Sequence, residues 1–438
     1  MSQKIKLQTE AYKGVRDFYP EDMAVENYIF KTMRRVAESF GYEEYGASVL
    51  EPAELYEAKT GEEIVSEQTY TFTDRGGRRV TLRPEMTPTV ARMIAARRRE
   101  LPLPIRWYSI PNLFRYERPQ RGRLREHWQL NCDIFGVTGI EAEAEIISLA
   151  AELLRAFGLK DEDFEIRLNS RKIMDYCISG VLGLQGDDGK TICRLIDKKN
   201  KISDEEFKKT AADILGEKDK LLLALLNSKN FEEFISRLPR DEEAEKTLNE
   251  TKGLIKVLDG LGIYNIRFDQ TIMRGFDYYT GTVFEIYDTD AKNRRSLFGG
   301  GRFDKLLSIF GAPDLPAVGF GMGDVTMRDI LETRGLLPPY RPPAKVVVCI
   351  VEKSALPYGN DLTQKLRAEG VAVLIDCSGR KVGDQIKAAD KRGIPFVVCV
   401  GGAEVKSGKL KVKELKTGEE TEVEEGQLAR LLKNRAVK

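Results

Sequence analysis

Histidine is almost missing from this chain: His127 is the only one in 438 residues. A charge surplus is missing too, with 70 Lys+Arg against 69 Asp+Glu and a net charge of +1. Without a basic excess there is no whole-chain signature of a nucleic-acid partner, so any polynucleotide contact must use local clusters of Lys and Arg. The six cysteines, Cys132, Cys177, Cys193, Cys349, Cys377 and Cys399, include no C-x-x-C pair, which argues against a zinc site or a thioredoxin-type motif. Three of them sit in apolar runs and read as buried thiols, and the set fits a reducing compartment. No apolar run approaches membrane-spanning length. The polar start MSQKIKLQTEAYKG has no signal-peptide core. A cytoplasmic protein with no membrane attachment is the expectation. Internal repeats and low-complexity tracts are also absent.

What is present is length and organised polarity. With 42% hydrophobic and 32% charged residues, the chain holds enough apolar material for two or three domains. Apolar residues at helical spacing predict a helix over 22–40, closed by Gly41. Residues 69–74 alternate like a strand, Arg75-Gly76-Gly77-Arg78 is a hairpin turn, and VTLRPE returns as a strand ending at Glu85. Thr87 reads as the N-cap and Pro88 as the first residue of the next helix. Strands are expected over 105–116, 127–136 and 164–169, and a helix over 141–157. From 170 to 262 the texture turns helical and rich in lysine and glutamate, which reads as an insertion beside the main sheet. A first domain over 1–335, a proline-bearing linker over 336–344 and a small α/β domain over 345–438 complete the division.

Four stretches carry chemistry. In FRYERPQRGRLREHWQLNCDIFG (114–136), two strands flank an arginine-rich loop. Residues two apart on a strand share a face. His127, Gln129, Asn131 and Asp133 therefore line one side, while Trp128, Leu130, Cys132 and Ile134 line the other. Arg115 and Glu117 share a face of the partner strand, where an arginine can grip a phosphate in bidentate fashion. A solvated hairpin is the plainer alternative, but such hairpins seldom place Arg, Gln and Asp on one face against so apolar a back. In LRPEMTPTVAR (82–92), Glu85 and Thr87 stand at a strand–helix junction, where a carboxylate and a hydroxyl can receive an ammonium group; a simple helix cap is compatible with the same residues. The third stretch is IMRGFDYYTGTVFEIY (272–287), with Arg274 before Tyr278 and Tyr279. The fourth is SLFGGGRFDKLL (296–307), whose glycines permit close backbone approach to a ligand.

Taken together, F-R-x-E with its basic loop, L-R-P-E-x-T, R-G-x-D-Y-Y and the G-G-R-F-D string resemble the histidyl-tRNA synthetase family of class II aminoacyl-tRNA synthetases over nearly the whole chain. The resemblance implies an α+β fold, in which a class II antiparallel sheet core with the helical insertion precedes an α/β anticodon-binding domain. It implies ATP-dependent activation of L-histidine and its ligation to tRNA(His), with Mg2+ accompanying ATP on ligands the sequence does not identify, in a homodimer. Arg115 would clamp the ATP α-phosphate, and Arg274 would lie beside the reacting carboxylate and phosphate; these are the catalytic candidates. Histidine would be bound by Glu85, Thr87, Gln129, Asp133, Tyr278 and Tyr279. ATP would be bound by Arg115, Glu117, Arg123, His127 and Arg274, with the His127 ring stacked on adenine in preference to a proton-transfer role. Gln120 and Arg125 would reach the tRNA acceptor end. The chain departs from the family pattern at Ser48, where a motif 1 proline is usual, at His127-Trp128, at Phe303 in place of tyrosine, and at Thr326, the position of the motif 3 arginine. A regulatory paralogue acting with an ATP phosphoribosyltransferase, and a non-catalytic tRNA-binding sensor, are the competing readings.

Overall fold

The first helix, α1 (Pro20–Ser39), starts where the sequence gives it reason to: Pro20 opens it, Glu21 and Asp22 fill its first turn, and Gly41 with φ of 80° turns the chain away after Phe40. In the computed structural model, which describes residues 9–57, 68–199, 202–239, 241–273, 278–290, 292–293 and 295–435, the chain divides into Met1–Leu337 and Pro338–Lys438.

The first unit is built on a largely antiparallel sheet. Its strands are β1 (Glu43–Glu44), β5 (Ile105–Ser109), β6 (Asn112–Phe114), β7 (Glu126–Phe135), β8 (Phe164–Ser170), β9 (Ile266–Phe268), β10 (Thr282–Asp288), β11 (Ser296–Arg302) and β12 (Ala317–Gly323). Their order is β1-β5-β7-β12-β11-β10-β8-β9, with β6 also paired to β7. Among the described strands of this sheet, only β1 with β5 and β8 with β9 run parallel. A smaller sheet, β2 (Leu50–Pro52), β3 (Tyr70–Thr73) and β4 (Arg79–Leu82), has the order β2-β4-β3, with the predicted turn at 75–78 closing its hairpin. The helices α2 (Thr87–Ala96), α3 (Glu141–Ala156) and α4 (Asp324–Thr333) complete this part.

One face of the large sheet is covered. Leu130, Cys132 and Ile134 of β7, Phe284 and Ile286 of β10 and Phe320 of β12 are buried in one core with Ile29, Met33, Ile147 and Leu154 of α1 and α3. The alternation along β7 therefore sends its apolar half inward and its polar half to the opposite face. The described residues between β8 and β9 are mostly helical, in keeping with the composition, and hold their own core: Ile192, Phe207, Leu225 and Phe234 pack with Phe268 and Met273.

Three expectations need correction. The strand before Glu85 ends at Leu82, because Arg83 turns its guanidinium back onto the carbonyls of Ala47 and Asn112. Thr87 is the first helical residue of α2, and Met86 takes the cap position without a side-chain cap. The stretch 105–116 is two short strands, since the chain breaks pairing around Ile110-Pro111. Arg115 and Glu117 consequently follow β6 in a loop and share no strand face.

The second unit carries β13 (Val346–Ile350), β14 (Val373–Asp376), β15 (Phe396–Val400), β16 (Lys409–Glu414) and β17 (Glu420–Glu424), in the order β14-β13-β15-β16-β17. Helices Leu356–Ala368, Val382–Lys391 and Glu425–Asn434 accompany them. Val348, Val398, Leu362 and Leu428 centre its main core. The buried Gln385 side chain bridges the Ile350 backbone in both directions, at 2.9 and 2.8 Å, and also donates to the Arg380 carbonyl at 2.8 Å, so its oxygen and its NH2 group are both used.

Candidate active site

Strand register arranges the uncovered face of the large sheet in rows. In one row Trp107 pairs with Asp133, Asp133 with Gly319, Gly319 with Gly301, Gly301 with Val283 and Val283 with Asn169. In the next, Ser109, Asn131, Gly321, Gly299, Glu285 and Arg167 follow one another. Both rows cross β12 and β11 on glycine. The middle of the floor is thus bare backbone, and polar side chains lean over it from both sides. A Cβ at Gly319 would stand 1.9 Å from Asp133 Oδ1, and one at Gly321 2.4 Å from Gln129 Nε2. At Gly301 a Cβ would come within 2.9 Å of the Tyr279 ring. The glycines are required by side chains that lie across them, a reason more specific than turn formation.

Asp133 is buried, and burial pushes its carboxyl up to about 8. Gln129 donates to Asn131 Oδ1 at 2.6 Å, while the Asn131 amide returns to the Gln129 carbonyl at 3.0 Å. Glu85, also buried, accepts a hydrogen bond from the Tyr278 hydroxyl at 3.2 Å. Tyr56 braces the same junction: its hydroxyl meets Thr89 Oγ1 at 2.9 Å and donates to the Glu85 carbonyl at 3.3 Å. Thr87 stands two residues on, at the start of α2. Arg115 donates to the Pro84 carbonyl at 2.9 Å, which holds its guanidinium beside the Glu85 segment. Phe303 belongs to the apolar wall, edge-on to Phe135 and Tyr278 with centroids at 5.9 and 5.8 Å. Arg274 lies outside the described residues.

His127 stands on the same face as Gln129 and Asp133. Burial, and after it the nearby Arg115 and Arg16 guanidinium groups, bring its imidazole down to about 3. The ring is therefore neutral across the physiological range, which suits a flat apolar platform and disfavours proton shuttling.

The arginine-rich loop after β6 is folded onto α4. Arg121 donates to both Asp329 carboxylate oxygens, at 2.9 and 3.1 Å, and to Thr333 Oγ1 at 3.2 Å. Arg295 donates to the Arg121 carbonyl at 2.9 Å and to Gln120 Oε1 at 3.2 Å. Arg123 pairs with Glu117 at 3.2 Å. Gln120 stays exposed at the tip. Arg125, the other residue expected at the acceptor end, has its guanidinium 4.1 Å over the Tyr116 ring and donates to Tyr12 Oη and the Lys13 carbonyl. Tyr12 and Lys13 lie over a hundred residues away, so the local sequence gave no sign of these two partners.

A cleft of about 1370 Å³ opens where the loop meets the floor, lined by Arg121, Arg123, Arg295, Thr326, Glu285 and Arg167 among others. Thr326 donates to the Leu297 and Gly323 carbonyls, at 2.9 and 3.1 Å, and so closes the β11–α4 corner. Arginines beside carboxylates in one cleft suit a polyphosphate. Among the described residues no group of three or more His, Cys, Asp or Glu side chains could hold a metal ion. Mg2+, which keeps several waters and binds through one or two carboxylates plus phosphate oxygens, does not require such a group.

Sequence reasoning left several floor residues without a role. Trp107, Ser109 and the glycines of β12 are legible as an alternating strand and a small-residue strand, but nothing local shows that they flank Asp133. Arg302, inside the G-G-R string, is buried and structural: it makes a bidentate pair with Glu143 at 2.6 and 2.5 Å and donates to the carbonyls of Val137 and Gly139.

The similarity of the chain to known proteins accords with this geometry. The family model described as histidyl-tRNA synthetase matches residues 14–324, and an anticodon binding domain model matches residues 345–435. A histidine–tRNA ligase of Leptospira biflexa is 43% identical over 418 residues, covering 94% of both chains. One from Thermoplasma volcanium is 39% identical, covering 97% of this chain and 99% of its own. The crystal structure of histidyl-tRNA synthetase from Nostoc sp. PCC 7120 superposes with a TM-score of 0.82 at 26% identity, covering 98% of this chain and all of that one. The family model over residues 14–324, the anticodon binding domain model that follows it and relatives at 39–43% identity place this chain in the histidyl-tRNA synthetase family.

Proposed function

We propose that the protein activates L-histidine with ATP and transfers the histidyl group to tRNA(His). The observation that carries this reading is the pair of buried carboxyl groups, Glu85 and Asp133, set around a floor with no side chains at its centre. One suits an α-ammonium group and the other an imidazole N–H. In the first step, a histidine carboxylate oxygen attacks the α-phosphorus of ATP. The phosphorus–oxygen bond to the leaving pyrophosphate breaks, giving histidyl-adenylate. In the second, the terminal ribose hydroxyl of tRNA attacks the acyl carbon and AMP departs. The protein contributes position and preorganised charge: Glu85, Thr87 and Gln129 orient the amino acid, Arg115 faces the phosphate, Arg274 is assigned by resemblance to stabilise its charge, and Asp133 with Tyr279 reads the ring. His127 offers its neutral ring to adenine. Bound with ATP, Mg2+ would neutralise phosphate charge, held mostly by phosphate oxygens and water.

The C-terminal unit fits the anticodon end of tRNA, with Gln120 at the loop tip toward the acceptor end. A homodimer in the cytoplasm is part of the same reading, and no helix among the described residues is long and apolar enough to cross a membrane. Histidine-dependent ATP–pyrophosphate exchange tests the proposal. Exchange with histidine alone among the amino acids, lost in Arg274→Ala, is expected. Absence of exchange in a protein that still binds histidine would favour the regulatory paralogue.

A further inference from the structure

Two hydroxyls on the floor side of the sheet have no hydrogen-bond partner among the described residues. β1 runs parallel to β5, with Glu43 opposite Trp107 and Glu44 opposite Tyr108. The Tyr45 amide then donates to the Tyr108 carbonyl at 2.9 Å. Tyr45 thereby extends the row that contains Ser109 and Asn131, and its ring packs on Trp107 with centroids 5.6 Å apart. The Tyr45 hydroxyl is fully buried and unpaired, and so is Ser109 Oγ. The two are neighbours, but their geometry falls short of a hydrogen bond. Burial, and after it the Asp133 carboxylate, hold the Tyr45 hydroxyl well above the usual tyrosine range. Asp133 itself is buried, and among the described residues its carboxyl receives no side-chain hydrogen bond.

Orphaned buried hydroxyls are costly, and native proteins keep few of them without cause. Here one lies near the buried Asp133 carboxyl and the other lies beside the first, at the end of a floor cleared for a ligand. An imidazole brings one N–H donor and one bare nitrogen to that place, so a ring on Asp133 creates new polar atoms beside both hydroxyls. We propose that Tyr45 and Ser109 are specificity residues of the amino-acid pocket, whose hydroxyls hydrogen-bond the ring–carboxylate pair formed when an imidazole binds Asp133. Trp107, packed under Tyr45, keeps that corner dry, which strengthens each bond. The inference rests on the histidine reading above.

Wild-type exchange with histidine checks that reading first and separately. The test of the inference is Tyr45→Phe, which removes one oxygen and keeps the ring on Trp107, with Ser109→Ala beside it. KM for histidine should rise about tenfold or more in Tyr45→Phe, as for a lost hydrogen bond to a charged pair. KM for ATP should be unchanged, and Tm should be equal to or above that of the parent, because the hydroxyl has no partner to lose. Ser109→Ala should shift in the same direction. A histidine KM within about twofold of the parent in both variants overturns the proposal. So does a lowered Tm with histidine and ATP affinities falling together, since that marks a purely structural role.

Discussion

At Asp133 the demands of folding and of binding oppose one another. Its carboxyl is pushed up to about 8 by burial, while an unfolded aspartate loses its proton near about 3.9. Between those values the unfolded chain binds fewer protons than the folded one, so this residue makes stability fall as pH rises from about 4 to about 8. Asp133→Asn should remove that slope. The variant is expected to match the parent near pH 4, to melt at higher temperature at pH 8, and to bind histidine at least about tenfold more weakly. Thermal melts across pH check this, and a gap that fails to widen with pH would contradict it. His127 makes the opposite prediction. Its imidazole lies at about 3, so it contributes no ionisation to exchange rates near neutrality. His127→Phe should keep exchange, whereas His127→Ala should raise KM for ATP. Arg302 has a third character. Bidentate to the buried Glu143, it should cost about 3–5 kcal/mol when truncated to alanine, because the glutamate is left charged and alone; urea unfolding measures this.

Among elements, the loop after β6 behaves as a unit docked on α4. Its Arg121–Asp329 pair is exposed, and such pairs contribute only about 0–1 kcal/mol to stability. Asp329→Ala should therefore leave Tm almost unchanged yet raise KM for ATP, because the loop loses its hold beside the cleft. An unchanged KM would show that the docking does not matter to the nucleotide. The loop also approaches the start of α4: a Cβ at Gly122 would lie 3.7 Å from Thr326 Cγ2, an ordinary contact. The sequence disclosed the elements better than their meetings. The polar and apolar faces of β7 were legible from alternation alone, and so was the helical texture of the insertion. The break at Leu82, the contacts of Arg125 with Tyr12 and Lys13 and the placement of Tyr45 near Asp133 were not. Each involves partners far away in the chain, which local periodicity does not record.

On the scale of the whole molecule, the two units have separate cores, so damage should be separable. Leu428, fully buried in the C-terminal core, should cost that unit about 2–5 kcal/mol when replaced by alanine. Aminoacylation of tRNA should suffer while histidine-dependent pyrophosphate exchange persists; loss of both together would show that the units depend on each other. The bare floor has a wider implication for how this gene can vary. Along β12, Gly319 and Gly321 lie beneath Asp133 and Gln129, while the residues between and beside them, Val318, Phe320 and Met322, face the core. Most base changes in a glycine codon add at least one carbon, and here one carbon is already too many. A saturation library across this strand should therefore show alternating kinds of failure: catalytically dead but soluble proteins at the glycines, and insoluble ones between them.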